Sequence, residues 1–324
     1  MRQRIGVRYG HCVDADLSDR IGQADERFVP GTADGELIEV EHLARYWWAC
    51  GLARGRSVLD AGCGVGYGSA MLARAGAGQV VGVDVSAKAI EAASRGAPDN
   101  ASFQVGDVHA LPFGDARFEL VVCFEVIEHV EAQDEVIAEL ARVLAPGGAL
   151  AISSPNRDVY PAGNPHHVHE YVPDELRAAL AAHFAHVELR HQHAWLASAV
   201  LTDEQAADGS LRARDDVQVA KSAGREPGSA PYTVALASRE PLPSIAGALV
   251  LGGLAEQALS VELERERERA RNEIEALSRV EAALRKDAAT LLAELDDKRQ
   301  ELRNVYGSIS WRVTEPLRRL KRRR

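Results

Sequence analysis

Val58-Leu59-Asp60-Ala61-Gly62-Cys63-Gly64-Val65-Gly66-Tyr67-Gly68 is the stretch on which the fold of this 324-residue chain turns. A short apolar run enters a turn with glycine at four alternate positions, and Gly68–Ala75 then continues with helical character. Glycine takes dihedrals closed to other residues and lets a ligand approach the main chain. A helix start adds free N–H groups and a positive dipole end. Two common nucleotide loops do not fit. The dinucleotide fingerprint needs glycine at i, i+2 and i+5, but the last position falls on Tyr67 or Ser69. The phosphate loop needs a lysine after its last glycine, and none lies between Gly55 and Val85. A bare turn accounts for one Gly-x-Gly. Four alternating glycines after Leu-Asp point to a ligand that is neither pyrophosphate nor triphosphate.

Outward from this turn, apolar runs alternate with amphipathic stretches. Strands are expected at Ser57–Asp60, Gln79–Val85, Ser102–Val105, Leu120–Phe124, Ala149–Ser153, Val187–His191 and Tyr232–Ala237. Helices are expected at Gly35–Leu52, Gly68–Ala75, Ala87–Ser94, Val136–Leu144 and Pro173–His183, the fourth stopped by Pro146-Gly147-Gly148. Continuous apolar strands separated by helices mean βαβ units and a mostly parallel sheet. Residues 1–34 read as a polar lead segment and 35–240 as the globular domain, with a mobile insertion at 202–230 and an end at Pro241–Pro243.

Residues 257–306 contain no proline or glycine. Ile274, Leu277, Glu281, Leu284, Ala288, Leu291, Leu295, Lys298, Leu302 and Val305 form a seven-residue repeat with eight of ten positions apolar. That predicts a coiled coil joining this chain to a copy of itself or to a partner protein. One long helix folded back on the domain is the alternative. Residues 307–324 carry seven basic residues and one acidic, a net of +6. The formal net charge of −10 therefore leaves −16 for residues 1–306, which argues against nucleic acid. A basic segment with Trp311 and Leu317 suits peripheral contact with an anionic membrane, or a partner protein.

Cys12, Cys50, Cys63 and Cys123 show no disulfide-framework spacing, which suits a reducing compartment. Met1–Gly10 is polar, so no secretory leader is expected. Ile245–Ala255 is too short to cross a bilayer. The expected location is cytoplasmic, with the inner membrane face open to the tail.

The ladder of motifs resembles class I S-adenosylmethionine-dependent methyltransferases of the ubiquinone-biosynthesis-like type 11 group. Asp60-Ala-Gly62-Cys-Gly64-Val-Gly66 resembles their first motif. Val81-Gly-Val-Asp84-Val-Ser86, Gly106-Asp107-Val108, Cys123-Phe-Glu125-Val-Ile-Glu128-His129-Val130 and Leu144-Ala-Pro146-Gly-Gly-Ala-Leu150 follow in order. The resemblance implies a Rossmann-like α/β sandwich with a mostly parallel seven-stranded sheet, followed here by the long helix. It implies S-adenosyl-L-methionine as cofactor, with Asp84 on the ribose hydroxyls and Asp107 on the adenine amino group. Tyr46, Asp60, Gly62, Gly64, Gly66, Val108 and Glu125 complete the implied cofactor set. Taken alone, Asp84 reads more often as a helix cap than a ligand and Asp107 as a turn residue; their joint positions after consecutive strands favour the ligand.

Motif four lacks the Asn/Asp-Pro-Pro-Tyr/Phe pattern of DNA and protein-amide methyltransferases. Glu26–Pro30, Glu41–Tyr46 and Asn164–Tyr171 with Pro173–Leu176 resemble methyltransferases found with bacterial surface-polysaccharide genes. The implied reaction is methyl transfer to a sugar hydroxyl of a cell-surface glycan. A quinone-like, lipid or natural-product acceptor is the alternative, and a non-catalytic scaffold the third reading. A hydroxyl acceptor calls for a base, and His129, His167 and His169 are the candidates. His166, His167, His169 and Glu170 offer metal-ligand chemistry, but neighbouring loop histidines rarely converge on one ion. No metal is expected on that spacing.

Overall fold

The computed structural model describes residues 37–314 and 318, apart from 162–163, 196, 198, 212–216, 222, 227 and 252–255. The lead segment 1–34, with Cys12 and Glu26–Pro30, lies outside the described residues, as do all positions of the tail beyond Thr314 except Arg318. The chain divides into two compact units, residues 1–255 and 256–324.

In chain order the first unit contains α1 (Leu37–Ala53), β1 (Ser57–Ala61), α2 (Tyr67–Arg74), β2 (Gln79–Asp84), α3 (Ala87–Ser94), β3 (Ala101–Val105) and β4 (Phe118–Cys123). A single 3-10 turn, Ile127–His129, leads to α4 (Gln133–Val143) and β5 (Leu144–Pro155). Then come α5 (Pro173–Ala181), β6 (His186–Gln192), the short α6 (Asp203–Ala207) and β7 (Tyr232–Ser238). The seven strands form one sheet in the order β3-β2-β1-β4-β5-β7-β6. Strands β1 to β5 pair in parallel. The strand β7 runs antiparallel between β5 and β6.

Why these runs become central strands is visible in their burial. Successive side chains of a strand point to opposite faces. Leu59, Val121, Cys123, Leu150 and Ile152 enter one core cluster, which includes Ile137 and Leu140 of α4 and Leu176 and Leu180 of α5. Their neighbours Val58, Leu120, Val122, Ala149 and Ala151 enter the other, with Trp48 and Leu52 of α1 and Met71 and Leu72 of α2. Both faces are covered, so the strands read as continuous apolar runs.

Two boundaries depart from the sequence expectation. The helix α4 ends at Val143, and Leu144 already pairs with Phe118. Pro146-Gly147-Gly148 is therefore a bulge inside β5, where the register shifts between Phe118 and Leu120. A pairing partner outweighs the local stop signal, because the bulge keeps the strand aligned on both sides of it. The domain also continues beyond Pro241–Pro243. Leu242 and Ile245 pack on the second core cluster, and Arg190 donates to the Ile245 carbonyl at 3.1 Å. The 202–230 segment contains a helical turn capped by Thr202. Its far end is held by Asn156, which donates to the carbonyls of Gly228 and Ala230.

The second unit is one helix, α7 (Glu256–Gly307), followed by α8 (Ile309–Val313). The large apolar side chains of the repeat, from Ile274 to Val305, are 47–65% exposed. No described helix is long and apolar enough to cross a membrane.

Candidate active site

The strand order reverses between β1 and β4, and open α/β sheets bind ligands in the crevice at such a point, beyond the carboxyl ends of the strands. The glycine turn follows β1 there. Gly62, Gly64 and Gly66 have φ of 80°, 53° and 79°, the left-handed region that favours glycine. A Cβ on Gly62 would lie 2.2 Å from Val126, so the turn after β1 packs directly on the turn after β4. A Cβ on Gly64 would meet nothing within 4 Å. That open side is where a ligand can reach the main chain.

Asp60 supports the turn from below. It is fully buried, accepts from Tyr46 Oη at 3.0 Å and from Ser69 Oγ at 2.6 Å, and thereby ties α1 and α2 to β1. The Tyr46 ring lies against Gly68, whose absent side chain makes the room. Burial lifts the Asp60 carboxyl from 3.8 to about 6, against the pull of both hydroxyls. An acid raised in the folded state stabilises the fold while protonated and loses that contribution as pH rises through its folded value. Compared with Asp60→Asn, the wild type is expected to lose about 3 kcal/mol of relative stability between about pH 3 and pH 7. Denaturant unfolding across that range measures it; a constant gap refutes the assignment.

Asp84 ends β2. Its oxygens accept from the Gly64 and Ser86 backbone N–H groups, both at 2.9 Å, so it joins the glycine turn to the turn after β2. The cap of α3 is Ser86, whose Oγ accepts from Ala89 N–H. Asp107 follows β3 and accepts from both the backbone N–H and the ring Nδ1 of His109. These bonds hold its carboxyl below the ordinary range. Val108 beside it is buried in the core.

After β4 the chain turns through Glu125, a non-glycine residue at φ 55°. Such strain is retained where the surrounding contacts over-determine it, and it gathers at functional sites. Here Ser153 supplies the contacts: its Oγ accepts Glu125 N–H and donates to Glu125 Oε1 at 2.6 Å. The Oε2 lies 3.8 Å from the buried Arg45 guanidinium. Residues 164–170 dock on this turn. Val168 N–H donates to the Glu128 carbonyl, and Gln133 Nε2 donates to the carbonyls of Ile127 and His169. The rings of His129 and His167 meet edge to face at 4.8 Å. His169 lies elsewhere, packed on Tyr171 and 3.9 Å from Glu175.

A family model described as a methyltransferase domain matches residues 59–152, from the core of β1 to the core of β5. This segment belongs to the methyltransferase domain family. Over 172 residues the chain is 35% identical to a probable S-adenosylmethionine-dependent methyltransferase of Mycolicibacterium smegmatis, covering 52% of this chain and 66% of that one. It is 36% identical to methyltransferase GfsG of Streptomyces halstedii, over 45% of this chain and 50% of that one. It is 38% identical to a ubiquinone biosynthesis O-methyltransferase of Coxiella burnetii, over 32% and 46% respectively. The chain thus spans about half to two thirds of the length of these relatives.

The fold brings in groups that the motifs did not single out. Arg45 of α1 is buried, stands over the Tyr232 ring at 4.8 Å and donates to Gln192. Tyr160 lies 5.4 Å from Tyr232 and stacks on His167 at 5.8 Å. Glu41 is buried, which raises its carboxyl, and Tyr232 bonds it. An arginine and a glutamate on the inward face of α1 were the available signal; a helix meant only for packing would place apolar residues there.

Proposed function

We propose that this chain is an S-adenosylmethionine-dependent methyltransferase acting on a hydroxyl, with a sugar as acceptor. One observation carries it: the glycine turn touches both Asp84 and the turn that carries the strained Glu125 at the switch point, and it is open at Gly64. The residues fit the cofactor. An open main chain at Gly64 suits close approach of a nucleoside, and an acid at the end of β2 suits ribose hydroxyls. When bound, the cofactor supplies a methyl group on a sulfonium, already activated for transfer.

What remains for the chain is to position the acceptor and take its proton. The cluster around Glu128, His129 and His167 stands two residues along from Val126, which touches Gly62. It is therefore the group that acts on the acceptor O–H. Tyr160, Tyr232, Arg45 and Glu41 give this side an aromatic and hydrogen-bonding character suited to a polyhydroxylated ring. A quinol acceptor is the second reading, favoured by the likeness to the ubiquinone-biosynthesis enzyme. Transfer assays with nucleotide sugars and glycans against quinols separate the two.

In these assays His129→Ala and His167→Ala are expected to lower kcat by at least about 100-fold, the usual range for losing proton-transfer assistance. His169→Ala is expected to stay within about threefold of wild type, because its ring lies with Tyr171 and Glu175. Equal rates for all three variants refute the assignment. We further propose that two copies pair through α7; the Discussion argues the geometry and its test.

A further inference from the structure

We propose that Glu128, His129 and His167 form a binding site for a divalent first-row transition cation. Each offers one ligand atom, and these atoms lie within 4.8 Å of one another. Ligands held at about 2.1 Å from one cation stand roughly 3–4 Å apart, so small side-chain rotations close the site. One carboxylate and two imidazoles, with further positions open, is a donor set that such cations take.

Three further observations point to a ligand. Glu128 is 1% exposed, yet both of its carboxylate oxygens are buried with no hydrogen-bond partner among the described residues. Leaving a buried carboxylate uncompensated is costly. A cation supplies the missing compensation. Secondly, both imidazoles are oriented through Nδ1. His129 Nδ1 donates to the His166 carbonyl at 3.2 Å, and His167 Nδ1 donates to Glu170 Oε1 at 2.5 Å. A carbonyl or carboxylate behind each ring is the second layer that metal-bound histidines carry, and it assigns Nε2 as the ligand atom. Thirdly, Val168 N–H and Gln133 Nε2 fasten the loop to the 3-10 turn, so ligands 38 residues apart are held together by the fold. Asn164 Nδ2 lies 3.0 Å from His167 Nε2 and must turn aside for the cation.

The inference deepens the methyltransferase reading, and its catalytic meaning rests on it. His129 is exposed, so the open positions face solvent and an incoming acceptor. A cation there binds the acceptor oxygen and lowers its pKa, so that the hydroxyl proton passes to solvent before or during transfer. The imidazoles then act as ligands, and their loss slows transfer for that reason.

The test uses the full chain, stripped with a chelator and titrated with Co2+ while visible absorption and calorimetric heat are recorded. One Co2+ per chain is expected, with the absorption bands that imidazole ligation produces. Glu128→Gln, His129→Ala and His167→Ala are each expected to weaken binding at least 10-fold, and Glu170→Gln about 10-fold through the second layer. Asn164→Ala is expected to bind more tightly, an outcome that no loss of folding imitates. His169→Ala is the unchanged control. Absence of Co2+ binding by folded protein, or binding indifferent to these substitutions, overturns the site. Titration of the stripped chain with S-adenosylmethionine keeps the two readings apart. Cofactor binding without Co2+ binding overturns the site alone, and Co2+ binding without cofactor binding overturns the methyltransferase reading alone.

Discussion

Gly62→Ala is expected to destabilise the fold by about 3 kcal/mol, whereas Gly64→Ala costs only about 1 kcal/mol and acts on the ligand instead. Both positions have positive φ, so both alanines carry backbone strain. The difference lies in what the new methyl group meets. At Gly62 it enters the Val126 side chain at 2.2 Å, and neither turn can retreat. Gly62 N–H is bonded to Val83 O at 2.7 Å, and the turn carrying Val126 is fixed by Ser153 and Gln133. At Gly64 the methyl group enters open space, while Gly64 N–H keeps its bond to Asp84. Thermal or denaturant unfolding reads the first effect, and calorimetry with S-adenosylmethionine reads the second. A loss of cofactor affinity of at least about 10-fold is expected for Gly64→Ala, since a methyl group occupies the ligand's approach. Unchanged affinity in a folded Gly64→Ala protein removes the ligand from this face of the turn.

The same contrast shows which parts of the molecule were legible in the chain. Central strands such as Leu120–Phe124 were readable because burial on both faces leaves an unbroken apolar run. The glycine turn was readable because left-handed backbone at alternate positions admits few other residues. Pro146-Gly147-Gly148 misled because a local stop signal and a bulge use the same residues, and only the pairing of Leu144 with Phe118 tells them apart. Asp84 reads as cap or ligand in sequence; in the fold Ser86 caps α3, while Asp84 holds the Gly64 and Ser86 N–H groups. The three histidines looked equivalent in sequence, but the fold groups His129 with His167 and sends His169 to Glu175. In sequence Glu128 is one acid among several in the stretch after β4, with nothing to distinguish it. Its significance lies in being buried beside a loop 38 residues away, which is tertiary information.

Leu284→Asp is expected to reduce self-association by more than about 10⁴-fold if, as we propose, the exposed repeat on α7 is a seam for a second copy running antiparallel. The two charged seam positions decide the direction. In a parallel pair like positions face each other, so Glu281 would meet Glu281 and Lys298 would meet Lys298. In an antiparallel pair with Glu281 opposite Lys298, the remaining layers are Ile274 with Val305, Leu277 with Leu302, Leu284 with Leu295 and Ala288 with Leu291. Every seam residue finds a partner, the two charges neutralise each other, and the smallest residue faces a large one. Each Leu284–Leu295 layer occurs twice, and burying one leucine contributes about 1.5–3 kcal/mol. Replacing both copies with aspartate therefore removes about 6 kcal/mol or more. Light scattering or sedimentation of the full chain over a range of concentrations measures it. The charge swap tests direction. Glu281→Lys alone and Lys298→Glu alone each put like charges together in the antiparallel pair, and each is expected to weaken it by about 10-fold or more. The double swap restores the match and the affinity. In a parallel pair all four proteins carry two like-charge layers and associate alike. A full chain that stays monomeric at high concentration overturns the seam, and four equal affinities overturn its direction.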